Sequence, residues 1–137
     1  MNKFGWQVRV YHEDVDTMGI VYYGNYLKFY ERARTEFLRS LGFEQDDLMH
    51  DLNIMFVVKK VEMNYFLPAR YNDRLWVTAD VSSFRQSSFH FDQKVYREDA
   101  EGELLNQATI VVVCVDTKTV RPCPVPGIIL KKLRDPG

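Results

Sequence analysis

The longest periodic stretch in the chain is "GNYLKFYERARTEFLRSL", residues 24–41. Tyr26, Tyr30, Ala33, Phe37 and Leu41 recur three and four residues apart. That spacing makes one apolar stripe and predicts a helix about 27 Å long. Charged residues fall on the other side at the same spacings, so Glu31/Arg34 and Arg32/Glu36 are predicted surface pairs. Gly42 reads as a stop signal, and 44–52 predicts a short second helix.

Around this helix the pattern switches to period two. "WQVRVYHE" (6–13) predicts a first strand, and "MFVVKKVEMNYF" (55–66) a second that ends ahead of Pro68. In 74–84, Leu75, Val77, Ala79 and Val81 alternate with Trp76, Thr78, Asp80 and Ser82. In 88–98, Phe89, Phe91 and Val95 share a face. "RQSS" (85–88) reads as the hairpin turn between these two strands, and "EGE" (101–103) as the next turn. "LLNQATIVVVCVD" (104–116) is apolar on both faces, as a central strand is. "RPCPVPG" (121–127) breaks regularity, and "IILKKLR" (128–134) predicts a short closing helix. The order β, α, then four β implies an α+β fold: a five-stranded, largely antiparallel sheet wrapped around one long helix. Strand 88–98, rich in β-formers, is the one expected to join a second copy edge to edge. There is no repeat, low-complexity segment or linker, so 1–137 is expected to be one domain.

Composition narrows the class. A net charge of −1 argues against a nucleic-acid binder that works through bulk charge. Aromatic residues reach 14%, so aromatics are expected to fill much of the core. The two cysteines, Cys114 and Cys123, form no C-x-x-C pair and match no zinc spacing; Cys114 reads as a buried thiol. No long apolar span and no leader-like start are present, which makes a cytoplasmic location the expectation.

Candidate chemistry concentrates in "DVDTMGIVYYGNY" (14–26), two carboxylates just ahead of the long helix. As a calcium loop the stretch fails, because Met18 holds the fifth position and Asn25 the twelfth. A metal site made by His12, Asp14 and Asp16 requires the first strand to continue through them. A catalytic carboxylate at a helix N-terminus is the third reading: the exposed N–H groups stabilise an oxyanion while an Asp attacks or activates water. A plain cap or turn role for the same aspartates is equally compatible with the residues. The chain has no G-x-S-x-G elbow, H-E-x-x-H or phosphate-binding glycine loop, so hydrolysis here has to rest on a carboxylate.

The string "VRVYHEDVDTMGIVYYGNYLKFYERARTEFLRSLG" (8–42) resembles the hotdog-fold acyl-CoA thioesterases of the 4-hydroxybenzoyl-CoA thioesterase family. The closer resemblance is to the YbgC-like branch associated with the Tol–Pal system of Gram-negative bacteria. "FVVKKVEMNYFLPARYNDRL" (56–75) and "NQATIVVVCVDTKTVRPCPVP" (106–126) carry the same resemblance. It implies hydrolysis of an acyl-CoA thioester, with Asp16 as nucleophile or general base and a backbone N–H near Tyr23 as oxyanion donor. Several members of the branch have His where this chain has Tyr23; a backbone role tolerates that change. Asp14, two residues before Asp16, is expected to be structural, bonding local backbone. The resemblance assigns part of the contact with the CoA phosphates to the hairpin that carries Arg85, Ser87 and Ser88; Lys59 and Lys60 are expected to help if they face the same groove. It implies no separate cofactor, since CoA is part of the substrate. Acyl carrier protein is a further candidate partner, and the working unit is expected to be a homodimer or homotetramer with sites shared between chains. The rival readings are a non-catalytic acyl-CoA or acyl-carrier-protein binding module, and a dehydratase-type hotdog enzyme, which pairs an acid with a His.

Overall fold

The computed structural model describes residues 4–136. Six strands and three helices follow in the order β1 (Gly5–Arg9), α1 (Tyr26–Ser40), α2 (Gln45–Asp51), β2 (Ile54–Tyr65), β3 (Arg74–Thr78), β4 (Asp80–Ser82), β5 (Ser88–Arg97), β6 (Leu104–Asp116) and α3 (Gly127–Arg134). Two 3₁₀ turns, His12–Asp14 and Tyr23–Asn25, lie between β1 and α1. The sheet runs β1-β3-β5-β6-β2 with antiparallel neighbours, and β4 lies beside β5 as the continuation of β3. This is the α+β hotdog arrangement, a sheet packed over one long helix.

The helical stripe is wider than the five predicted positions. Tyr26, Tyr30, Ala33 and Phe37 are buried, and Phe29 and Leu38 join them, while Leu41 is half-buried. Phe37 packs edge-on against Phe91 of β5, and Phe89 against Phe91, so aromatics do link helix to sheet. The expected Glu31/Arg34 and Arg32/Glu36 pairs are not the ones made among the described residues. Glu36 pairs instead with Arg39 at 2.7 Å, and Arg34 donates to the Gln93 Oε1 at 3.1 Å.

Three expectations on the strands are corrected. The first strand stops at Arg9 rather than running to residue 13, because Asp14 accepts a hydrogen bond from the Tyr11 N–H at 2.8 Å and winds the chain into a 3₁₀ turn. The predicted strand 74–84 is broken at Ala79. Gln93, buried on the inner face of β5, donates to the Thr78 carbonyl, and Thr78 Oγ1 accepts the Lys94 N–H, so side chains replace ladder bonds there. Finally, β5 lies between β3/β4 and β6 and has no open edge to offer a second copy.

The long open edge belongs to β2, which among the described residues pairs with β6 alone. Its twelve residues expose Val57, Val58, Val61 and Tyr65. Unpaired edges of that length and character are templates for strand addition. No helix among the described residues is long and apolar enough to cross a membrane.

Candidate active site

The turn carrying Asp16 is built by sequence. Val15 and Val21 bridge, Asp16 N–H donates to the Ile20 carbonyl at 2.9 Å, and Gly19 N–H donates to the Asp16 carbonyl at 3.0 Å. Gly19 has φ +77°, the left-handed conformation that closes such a three-residue loop and that glycine adopts without strain. Asp16 Oδ1 accepts the Met18 N–H at 2.8 Å, an Asx turn. Its carboxylate is therefore oriented by its own backbone while the residue stays exposed.

Asp14 does different work. It is buried; its Oδ2 accepts from the Tyr11 N–H, and its carbonyl accepts from both the Tyr22 N–H and the Asn25 Nδ2. Those bonds tie the Asp16 loop to the helix entry. The structural role expected for Asp14 is what its hydrogen bonds describe. With β1 ended at Arg9, His12 is not strand-aligned with the two aspartates; its ring stacks on Tyr71 with centroids 3.8 Å apart. Among the described residues no cluster of three or more His, Cys, Asp or Glu is arranged to hold a metal.

Tyr23 opens the 3₁₀ turn that leads into α1. The Asn25 N–H donates to the Tyr22 carbonyl, so the Tyr23 and Gly24 N–H groups are the two that the turn itself does not use. The Tyr23 ring is exposed and lies against Tyr22. Its carbonyl accepts the Tyr65 hydroxyl at 3.1 Å, across 42 residues of sequence. Asp16 and Tyr23 line one cleft of about 320 Å³, walled by Tyr26, Tyr65, Phe66 and Leu67. Burial pushes the Tyr26 phenol up, and burial followed by the neighbouring Tyr23 does the same to Tyr65. These phenols stay protonated at neutral pH, which leaves Asp16 as the one carboxylate on an otherwise apolar and aromatic wall.

The residues expected to contact phosphate are not gathered at this cleft within one chain. Arg85 is exposed on the loop between β4 and β5, and Ser88 begins β5 opposite Val113 of β6. The cleft lies at the other end of β6, where Asn106 pairs with Tyr65. The eight residue steps from Asn106 to Cys114 span roughly 25 Å. Lys59 is the extra residue of a bulge in mid-β2, and Lys60 is paired with Glu62 at 2.8 Å. Sequence reasoning missed Tyr65 and Asn25. Tyr65 ends a strand on its exposed side, and only the fold brings it to Tyr23.

Residues 10–133 match the model of the thioesterase-like superfamily. The chain is 43% identical over 131 residues to an Escherichia coli protein named acyl-CoA thioester hydrolase YbgC, with 96% of each chain covered. It is 40% identical to the acyl-CoA thioesterase YbgC of Haemophilus influenzae, covering 91% of this chain and 90% of that one. Among solved structures, a probable thioesterase of Escherichia coli, YbaW, superposes with a TM-score of 0.81 at 30% identity, over 95% of this chain and 96% of that one. A 1,4-dihydroxy-2-naphthoyl-CoA thioesterase from Synechocystis has the same fold, with a TM-score of 0.87 at 22% identity over 98% and 97% of the two chains. The chain belongs to the thioesterase-like superfamily, as a hotdog thioesterase of the YbgC-like branch.

Proposed function

We propose that the protein hydrolyses acyl-CoA thioesters to the free acid and CoA, using Asp16 and the helix-entry N–H of Tyr23. The observation that carries this reading is the pairing, on one apolar and aromatic cleft, of a single carboxylate with Tyr23, whose N–H the helix-entry turn does not use. The thioester oxygen sits against the Tyr23 N–H, where the charge of the tetrahedral intermediate is stabilised. Asp16 either attacks the carbonyl carbon, giving an anhydride that water opens, or takes a proton from the attacking water. In both routes the CoA thiolate leaves and is protonated, and one water is consumed. No separate cofactor takes part.

CoA phosphates are held by Arg85, Ser87 and Ser88, with Lys59 and Lys60 beside them, and these contacts come from a partner chain. Two observations support that. Arg85 is exposed and lies at the opposite end of the sheet from Asp16, and β2 has an open edge. Two β2 strands paired antiparallel about their midpoint bring the Arg85 end of one chain beside the Asp16 end of the other. The result is a homodimer with two equal sites, and two such dimers form a homotetramer. A cytoplasmic location, service to the Tol–Pal system and acyl-carrier-protein thioesters as additional substrates extend the same reading; the match of residues 8–42 to the branch supports them.

The test is thiol release from a panel of acyl-CoAs of increasing chain length. Turnover on at least one member is expected. Tight binding of every member with no thiol released favours the binding-module reading instead.

A further inference from the structure

Two thiols lie outside the cleft, and the proposed hydrolysis uses neither. Cys114 is fully buried on β6, and Cys123 is half-buried on the segment that follows. That segment folds back onto the strand. Cys123 N–H donates to the Cys114 carbonyl at 2.9 Å, and Val115 bridges Pro122, so the two cysteines face each other in a short antiparallel pairing. Residues opposed in this way have Cα atoms about 4.5–5.5 Å apart, within the range of about 4.4–6.8 Å that disulfides span. Their sulfurs are already 3.7 Å apart.

We propose that Cys114 and Cys123 form a reversible dithiol–disulfide couple, a modification site oxidised by low-molecular-weight disulfides such as oxidised glutathione. Cys123 is the point of entry, because it alone of the two reaches solvent. Its thiolate attacks one glutathione sulfur, which forms a mixed disulfide and releases one glutathione. Cys114 then loses its proton and attacks the Cys123 sulfur, which forms the internal bond and expels the second glutathione. Two protein thiols are oxidised, one disulfide is reduced to two thiols, and the two protons pass to the released thiolates. Burial, reinforced by the neighbouring Cys123, pushes the Cys114 thiol up to about 12. Cys114 is thus inert toward outside reagents and reacts only with a sulfur delivered beside it.

The couple sits where it acts on a loop. Cys114 N–H donates to the Ser87 carbonyl at 2.7 Å, and Val125 N–H donates to the Gln86 carbonyl at 2.9 Å. These two bonds pin the loop that carries Arg85, one from each side of the cysteine pair. A covalent link between residues 114 and 123 holds both anchors at a fixed spacing.

The experiment treats the full chain with oxidised glutathione and follows thiol count, intact mass and Tm. Both thiols should be lost, the mass should fall by two hydrogens with no adduct, and dithiothreitol should reverse the change. Trypsin cleavage after Lys118 puts the cysteines on separate peptides, which should stay joined until reduced. Oxidation should raise Tm by on the order of 5 °C. In Cys114→Ser the reaction should stop at a stable glutathione adduct on Cys123, and in Cys123→Ser the Cys114 thiol should stay unmodified. A lasting adduct on the unmodified chain overturns the couple, as does a disulfide between two chains or no thiol loss at all. An oxidised form with unchanged or lower Tm overturns the clamp on the loop.

Discussion

Tyr65→Phe isolates one hydrogen bond at the helix entry. The Tyr65 hydroxyl donates to the Tyr23 carbonyl at 3.1 Å, while the ring packs edge-on against Tyr26 with centroids 5.6 Å apart. Phenylalanine keeps the ring contact and deletes only the donor. Tyr65 is about half exposed (51%), so water can replace the lost partner and little stability is at stake. A neutral hydrogen bond contributes about 0.5–1.5 kcal/mol net. If that energy fixes Tyr23, whose N–H donates from the adjoining peptide unit, it is expressed in the transition state and corresponds to an about two- to twelvefold fall in kcat. KM for acyl-CoA and Tm should barely move, because neither phosphate contacts nor the core change. Thiol-release kinetics and a thermal melt read the three quantities together. An unchanged kcat would refute the argument that Tyr65 positions the helix entry. A kcat loss accompanied by a large fall in Tm would show instead that the hydroxyl holds the fold.

Arg85→Ala should raise KM for acyl-CoA but leave KM for a truncated pantetheine thioester nearly unchanged; equal effects on both remove the phosphate assignment. Mixing and re-equilibrating Asp16→Asn and Arg85→Ala chains tests the shared site, since each mixed dimer regains one intact site. At low substrate about a quarter of normal activity should return for a two-chain site, and none for a site within one chain. Phe29→Ala, at a fully buried position on α1, should cost about 3–5 kcal/mol, read as a lowered denaturation midpoint with the slope unchanged. The Asp116 carboxyl is held below its ordinary 3.8 by the Thr119 and Lys118 N–H groups. Its contribution to the turn should be complete above that value and lost as pH falls through the lowered one, which an NMR titration of its side chain would follow.

The layered fold was legible because both periods were written plainly: the stripe Tyr26–Tyr30–Ala33–Phe37, and the alternation through Leu75, Val77 and Ala79. What escaped was set by side-chain bonds to backbone, which periodicity does not register. Asp14 ended β1 early by capping Tyr11, and Gln93 split β3 from β4 by taking the Thr78 carbonyl. Gln93 did leave a signal, as the polar residue set between Phe91 and Val95 on the face they share with Phe89. Propensity named the wrong edge: 88–98 holds enough β-formers for a strand, but sheet order decides which strands are open, and the long open edge is β2. The motif DVDTMGIVYYGNY marked the two residues, Asp16 and Tyr23, that the fold brings to one cleft. The separation of Arg85 from Asp16 depended on sheet topology and could not be read from spacing.

The central claim is that Asp16 supplies the reactive carboxylate, and the kinetics of Asp16→Asn test it most directly. Asparagine can still accept the Met18 N–H through its amide oxygen, so the turn is retained while the charge is lost. Single-turnover and steady-state thiol release should fall by a factor of about 10² or more, with CoA binding largely kept. Near-normal turnover in Asp16→Asn would contradict the account, however the remainder of the cleft behaves.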